Sequence, residues 1–488
     1  METLLKFKEA RNFINGTFID SDAPTMEVIS PLDGRTISTI PLSGATDLDN
    51  AVEYAMAAYN DWSSTPIKER VQILFIYRNL LNKYRDELTE LVHIENGKIF
   101  SEAEAEVDKA IELTEFACSL PQIVPGEFLE VSKGVECRIE RIPLGVVASI
   151  TPFNFPNMVP NWTIPIVIGL GNCMILKPSE KVPLTAARLA LILKEAGLPD
   201  GVFNVINGSQ EIVEAICDHP SIKAVSFVGS TRVAKIVYKR ATSNLKRCLA
   251  LGGAKNHLIV LPDAQTEMTA SNIAASMTGC AGQRCMAASA MVAVGEIDHI
   301  INKLVEEAKK IIPGKNLGAV ISKEAKERIE NYVTQAEKEG AKVLLDGRNV
   351  KVSGYENGFY VGPTILDFVI PDMAIAKEEV FGPVLAIMRT DSLEKAMEIE
   401  KSSIYGNAAS VFTQNGRAAK FVADNASAGM IGVNIGVPVP REPFSFGGMN
   451  ESKFGSSDIT GKSSIEFWTQ IRKTTTKWSP ESRINWMS

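Results

Sequence analysis

Histidine is scarce in this sequence. The four, His93, His219, His257 and His299, lie far apart without metal-ligand spacing, so nothing points to a zinc site. Long apolar runs are also missing, and no segment approaches the roughly 20 apolar residues that a membrane span requires. The first residues, Met1-Glu-Thr-Leu-Leu-Lys-Phe-Lys-Glu-Ala-Arg11, have no signal-peptide core, which predicts a cytoplasmic protein with no membrane partner. The seven cysteines show no repeated pair spacing and their odd number cannot all pair within one chain, so reduced thiols fit better than a disulfide framework. Excess positive charge is absent. A net charge of -7 and a pI near 5.5 argue against a nucleic-acid partner. There is no internal repeat or low-complexity tract.

What is present is an ordinary globular balance, 45% hydrophobic and 22% charged, in 488 residues. That length exceeds one compact core, so two or three domains are expected. The stretch with the most chemistry is Thr278-Gly-Cys-Ala-Gly-Gln-Arg-Cys-Met-Ala287. A nucleophilic thiolate needs a cation or a helix N-terminus beside it, because a free thiol has a pKa of roughly 8.5. Arg284 next to Cys285 is a candidate for that cation. The plainer reading makes Cys285 a small buried hydrophobe.

Before residue 145, Phe13–Ile19 and Thr25–Ser30 read as short strands. Asp47–Trp62, Ile67–Glu95 and about Glu102–Ser119 carry helical periodicity, and Val131–Arg141 alternates like a half-exposed strand or hairpin. From Gly145 the pattern becomes strand, turn, helix. Strands are predicted at Val146–Ile150, Met174–Lys177, Val202–Ile206 and Ala224–Val228, with helices at Leu184–Ala196 and Glu211–Cys217. This alternation predicts parallel βαβ units and a dinucleotide-type sheet, an α/β fold whose ligand lies at the carboxyl ends of the strands.

Strand ends carry suitable groups. Lys177-Pro-Ser-Glu180 offers a cation and a carboxylate to the hydroxyls of an adenosine ribose, and a carboxylate there repels a 2′-phosphate, favouring NAD over NADP. Gly229-Ser-Thr-Arg-Val-Ala234 is a Gly turn opening a helix, where free N–H groups from Gly229 and Ser230 onward can face a pyrophosphate. A plain strand-to-helix turn looks the same.

Taken in order, Pro152-Phe-Asn-Phe-Pro156, Lys177-Pro-Ser-Glu180, Phe227-Val-Gly-Ser-Thr231, Leu251-Gly-Gly253, Gly282-Gln-Arg-Cys285, Glu378-Glu-Val-Phe-Gly-Pro-Val384 and Pro443-Phe-Ser-Phe-Gly-Gly448 resemble the NAD(P)-dependent aldehyde dehydrogenase superfamily from about Phe13 to Lys477. Pro152-Phe-Asn-Phe-Pro-Asn-Met-Val-Pro160, Gly253-Ala-Lys-Asn-His257, Arg284-Cys-Met-Ala287 and Asn434-Ile-Gly-Val-Pro438 are most similar to its methylmalonate-semialdehyde dehydrogenase branch. The resemblance implies Cys285 as nucleophile and Asn154 with the Cys285 backbone N–H as oxyanion hole. It also implies cofactor contacts from Phe153, Leu251, Glu379 and Phe381 beside Lys177, Glu180, Gly229 and Ser230. The implied subunit has an NAD-binding domain at 1–120 and 141–247, a catalytic domain at 248–443, and a small β oligomerisation element at 121–140 and 460–488. The tail Ser464–Lys477, rich in β-branched and aromatic residues, is expected as an edge strand paired across a homodimer or homotetramer.

The departures carry information. Most members place a Glu before Leu-Gly-Gly as the base for deacylating water, whereas this chain has Ala250, and a methyl group takes no proton. Thiolysis by coenzyme A then becomes a route off the enzyme. Arg284 and Arg441 are candidates for holding a carboxylate or sulfonate on a small anionic aldehyde. Three functions stay open: a CoA-acylating dehydrogenase of (methyl)malonate semialdehyde; one releasing a free acid from 3-sulfolactaldehyde or succinate semialdehyde; and a non-catalytic NAD-binding scaffold.

Overall fold

The computed structural model describes residues 9–478, so positions 1–8 and 479–488 of the expected cofactor and oligomerisation pieces lie outside the described residues. Two large sheets organise the molecule. The first has eight strands in the order Thr17–Ile19, Asn12–Ile14, Phe203–Val205, Cys173–Lys177, Val146–Ile150, Ile222–Val228, Arg247–Leu251 and Lys453–Phe454. Its five central strands are parallel. Chain order runs outward from Val146–Ile150 in one direction and resumes at Ile222–Val228 in the other. That reversal opens a crevice at the strand carboxyl ends, where ligands of such sheets bind. All five residues of both Val146–Ile150 and Cys173–Lys177 are buried, as expected for strands covered by helices on both faces. Each large apolar side chain so buried contributes about 1.5–3 kcal/mol relative to exposure.

The second sheet has seven strands, in the order Lys342–Leu345, Thr364–Asp367, Val384–Thr390, Ala288–Val294, Asn256–Val260, Ala408–Phe412 and Met430–Val433. It is parallel except for its first pair. A third, antiparallel sheet orders Thr469–Lys477, Val135–Pro143 and Glu127–Ser132. On it Phe128, Leu129, Val131 and Ile471 are all at least half exposed.

The helix and strand positions read from the sequence hold with three differences. The stretch Phe13–Ile19 is a hairpin of two antiparallel strands, Asn12–Ile14 and Thr17–Ile19. The single helix expected over Ile67–Glu95 is two, Ile67–Lys83 and Arg85–Asn96. Tyr84 between them leaves helical geometry, its ring under the cations of Lys83 and Arg188 and its hydroxyl on Glu195. These are long-range contacts that local periodicity does not register. The tail expected as strand from Ser464 is instead a helix, Gly461–Trp468, followed by the strand Thr469–Lys477. The helix buries Ile465, Phe467 and Trp468. Arg247 satisfies its last turn, donating from Nη1 to the carbonyls of Glu466, Phe467 and Thr469 at 3.0, 2.6 and 2.7 Å. Among the described residues no helix is long and apolar enough to cross a membrane.

Candidate active site

The cysteine segment follows the helix Thr266–Thr278 and is bent out of regular structure. Cys280 and Ala281 hold left-handed backbone at φ 51° and 54°, and Gly282 continues it at 70°. At Gly282 a side chain has no room, because a Cβ would lie 2.1 Å from the Gly382 carbonyl. This close approach brings the Glu379–Phe381 loop against the cysteine turn. Cys285 itself is half-buried, its own carbonyl pinned by Asn256 Nδ2 at 2.8 Å and Asn407 Nδ2 at 2.7 Å. Burial pushes its thiol up to about 12, with the Glu379 carboxylate acting in the same direction. The backbone N–H groups of Cys285 and Met286 and the Arg284 charge offset only part of this. With its ionisation raised that far, the Cys285 side chain is a neutral thiol at neutral pH.

Asn154 arrives from the loop after Val146–Ile150. It is buried, and its Nδ2 donates to the Gln283 carbonyl at 2.9 Å, two residues before Cys285. One N–H of the amide is used there and the second is available to a substrate oxygen. Gln283 is locked in turn, its Oε1 accepting from Ile321 N at 2.9 Å. The structure thus brings Asn154 to the segment that carries Cys285, 131 positions away in sequence.

The two arginines fare differently. Arg284 turns from the cleft towards Cys280 Sγ, 3.2 Å from Nε, and Glu102 Oε1, 3.4 Å from Nη2. Glu102 also takes the Cys280 N–H at 2.7 Å, so the guanidinium is committed to a local network. Arg441 is exposed on the loop before Pro443; its carbonyl accepts from Phe444 N at 3.0 Å, and its guanidinium has no hydrogen-bond or ion-pair partner among the described residues. Lys109, another cation near this loop, is held by Glu112 at 3.0 Å and Glu442 at 2.7 Å. No contact brings Arg284 and Arg441 together as the expected fork.

At the crevice, Lys177 Nζ and Glu180 Oε2 lie 3.3 Å apart, the lysine buried and the carboxylate partly exposed. Gly229 N donates to the Leu251 carbonyl at 3.1 Å, joining two adjacent strand ends. Ser230 caps the helix Thr231–Ser243 in extended geometry without using its hydroxyl, leaving first-turn N–H groups facing outward. Phe153 and Phe381 meet edge-to-face at 5.9 Å. Glu379 Oε1 accepts from Ala254 N at 3.0 Å, and burial raises its carboxyl to about 7. Carboxylates for ribose hydroxyls, a helix start for a diphosphate and aromatic walls beside a half-buried acid form a donor set that fits a dinucleotide.

Sequence reasoning missed several residues that shape this cleft. Glu102 and Glu106 are on the inward side of the helix Phe100–Cys118, among the buried Ala103, Val107 and Ala110. Acids at the spacing of an apolar face were the available signal. Lys98 and Lys255 are buried too, and Lys255 Nζ has no hydrogen-bond partner among the described residues. Burial lowers it to about 8.

Residues 18–474 match the aldehyde dehydrogenase family. The chain is 41% identical over 487 residues to the malonate-semialdehyde dehydrogenase of Halalkalibacterium halodurans, covering 98% of this chain and 100% of that protein. It is 43% identical to malonate-semialdehyde dehydrogenase 1 of Geobacillus thermodenitrificans, covering 96% and 98%. Among solved structures, a methylmalonate-semialdehyde dehydrogenase from Oceanimonas doudoroffii superposes with a TM-score of 0.95 at 40% identity, covering 96% of this chain and 98% of that one. A Sinorhizobium meliloti 1021 protein, described as a candidate methylmalonate-semialdehyde dehydrogenase and complexed with NAD, gives 0.95 at 39% identity, covering 97% and 98%.

Proposed function

The chain belongs to the aldehyde dehydrogenase family, and on that premise we propose that it oxidises a malonate- or methylmalonate-semialdehyde-like substrate with NAD and passes the acyl group to coenzyme A. The observation that carries this is that the Asn154 amide binds the Gln283 carbonyl two residues before Cys285 while the Glu379 charge acts on the Cys285 thiol, in a chain with over 40% identity to malonate-semialdehyde dehydrogenases. Cys285 gives its proton to solvent water, and its sulfur bonds to the aldehyde carbon as the carbonyl π electrons move onto oxygen. The resulting alkoxide receives hydrogen bonds from the Asn154 amide and the Cys285 backbone N–H, and losing one such donor typically costs about 10²–10³ in rate. NAD, when bound, accepts the hydride. Glu379 would hold the nicotinamide ribose, Phe153 and Phe381 would border the ring, and Lys177, Glu180, Gly229, Ser230 and Leu251 would hold the adenosine and diphosphate. The acyl group is then a thioester on Cys285.

Ala250 is buried in the strand Arg247–Leu251, flanked by Phe227 and Phe454, and supplies no base for water. A thiol opens a thioester without one, which favours coenzyme A. A second reading rests on Glu379. A carboxyl raised to about 7 near the nucleophile has the acidity of a general base, and would let water release a free acid, as from succinate semialdehyde or 3-sulfolactaldehyde. Arg441, exposed at the loop, and Arg284, if released from Glu102, are the cations for the substrate's anionic end. The eight-stranded sheet with its helices serves as the cofactor unit, the seven-stranded sheet as the catalytic unit and the three-stranded sheet as the oligomerisation element.

The test is NADH formation with malonate, methylmalonate and succinate semialdehydes and 3-sulfolactaldehyde, each with and without coenzyme A. CoA-dependent turnover of the first two is expected. Full-rate turnover without CoA would transfer the assignment to the free-acid reading, and no NADH from any aldehyde would remove both.

A further inference from the structure

We propose that the buried ion pair Lys98–Glu106 is a positioning device for the oxyanion donor Asn154. Lys98 lies in the Gly97–Ile99 link between the helices Arg85–Asn96 and Phe100–Cys118, and Glu106 two turns into the second of these. Their side chains are 1% and 0% exposed, and Lys98 Nζ lies 2.6 Å from Glu106 Oε2. A buried pair survives only where further hydrogen bonds complete both groups. Here every one of those bonds lands on the loop that carries Asn154.

Lys98 Nζ donates to the Asn154 carbonyl itself and sits 4.0 Å from the centre of the Phe155 ring. Glu106 Oε1 accepts the N–H groups of Asn157 at 2.8 Å and Met158 at 3.1 Å, where the helix Met158–Gly169 begins. Next to Lys98, Asn96 Nδ2 donates to the Phe153 carbonyl at 2.8 Å. The backbone is therefore gripped at 153, 154, 157 and 158 from one side. Nothing in this network touches Cys285. On its other side Asn154 reaches Gln283 by its Nδ2 alone. The pair sets where the Asn154 main chain stands, and so where its amide points relative to the thiol. A shift of about 1 Å in such a donor is enough to cost on the order of 10²-fold in rate.

This inference rests on the role given to Asn154 in the dehydrogenase reading. Its test uses the acylation burst of Cys285 with 4-nitrophenyl acetate, which passes through the same kind of oxyanion and needs neither aldehyde nor NAD. A wild-type enzyme inactive on every aldehyde would overturn the proposed function while leaving this assay readable. The double variant Lys98→Met/Glu106→Gln, which removes both charges together, should slow the burst roughly 10- to 100-fold. Alkylation of Cys285 by iodoacetamide should stay within about twofold, since the thiol's own surroundings are unchanged. In an Asn154→Ala background the same double change should cost almost nothing more, because the pair acts through Asn154. Lys98→Arg, keeping the charge, should recover much of the rate. An unchanged burst, an additive loss in the Asn154→Ala background, or burst and alkylation falling together would each overturn the assignment. Should the double variant fail to fold, Glu106→Gln alone goes through the same cycle with the same criteria.

Discussion

A thiol whose ionisation is pushed up to about 12 is a poor nucleophile at neutral pH, and Cys285 is such a thiol in the cofactor-free protein. Its thiolate fraction rises tenfold for each pH unit below that value. Alkylation of Cys285 by iodoacetamide should therefore climb steadily from pH 6 to pH 9 without a plateau, measured by mass spectrometry and absent in Cys285→Ala. A plateau near pH 7 would show that Arg284 controls the thiol more than burial does. Ala250 gives a second expectation at this scale. Ala250→Glu should raise CoA-independent turnover at least tenfold, general-base help being worth about 10²–10⁴, and should lower stability by placing a carboxylate where the methyl is fully buried. An NADH assay without CoA and a denaturation midpoint check the two halves. The role of Asn154, set between two Phe, came only from the resemblance, while the short Gly-bracketed segment around Cys285 was legible in the sequence. The direction of Arg284 was not. Its partner Glu102 comes from a helix 182 positions earlier, and side-chain aim across such a distance leaves no local pattern.

At the scale of elements, two buried acids cap helices that flank the cleft. Glu106 begins Met158–Gly169, and Glu95 begins Pro183–Glu195 by accepting Leu184 N at 2.7 Å and Thr185 N at 3.0 Å. Burial raises Glu95 to about 7 from an ordinary 4.5. A raised carboxyl contributes stability that is full below about pH 4.5 and lost as pH rises through about 7, because the folded chain then holds the proton more tightly than the unfolded chain. Glu95→Gln should flatten that part of the stability profile. It should also cost about 1–3 kcal/mol, since one helix N–H meets an amide NH₂ in place of an oxygen, as read from urea midpoints between pH 4.5 and 8. Downstream of the Cys173–Lys177 strand, Glu180→Gln should cut the preference for NAD over NADP by roughly tenfold, about 1.4 kcal/mol of lost repulsion, measured as the ratio of kcat/KM values. A wild type preferring NADP would misplace this segment from the ribose. The parallel strands between Val146 and Val228 were readable because buried parallel strands are continuous apolar runs. The break at Tyr84 and the helix before Thr469 were not readable, since both answer to partners far along the chain.

For the whole molecule, the parallel core of the eight-stranded sheet follows from the sequence, the seven-stranded sheet was expected only as the catalytic domain that the resemblance implies, and the three-stranded sheet explains what a single copy leaves open. Val135–Pro143 is central in the three-stranded sheet, so Thr469–Lys477 and Glu127–Ser132 are both edges, with Phe128, Leu129 and Ile471 exposed. Exposed edges and apolar side chains of this kind are usually covered. Light scattering should give a dimer or tetramer mass, and Leu129→Lys with Ile471→Lys should reduce it; a wild-type monomer would leave the sheet unexplained. The same sheet sets a timetable for biosynthesis. Arg141 meets Thr469 across 328 positions, so at about 5–20 residues per second the central strand emerges from the ribosome roughly 15–65 s before its partner exists. The eight-stranded sheet waits similarly for Lys453–Phe454. A nascent chain stalled before residue 453 would therefore carry two unfinished edges, and quality control, rather than catalysis, would be the first process to sense a truncation there.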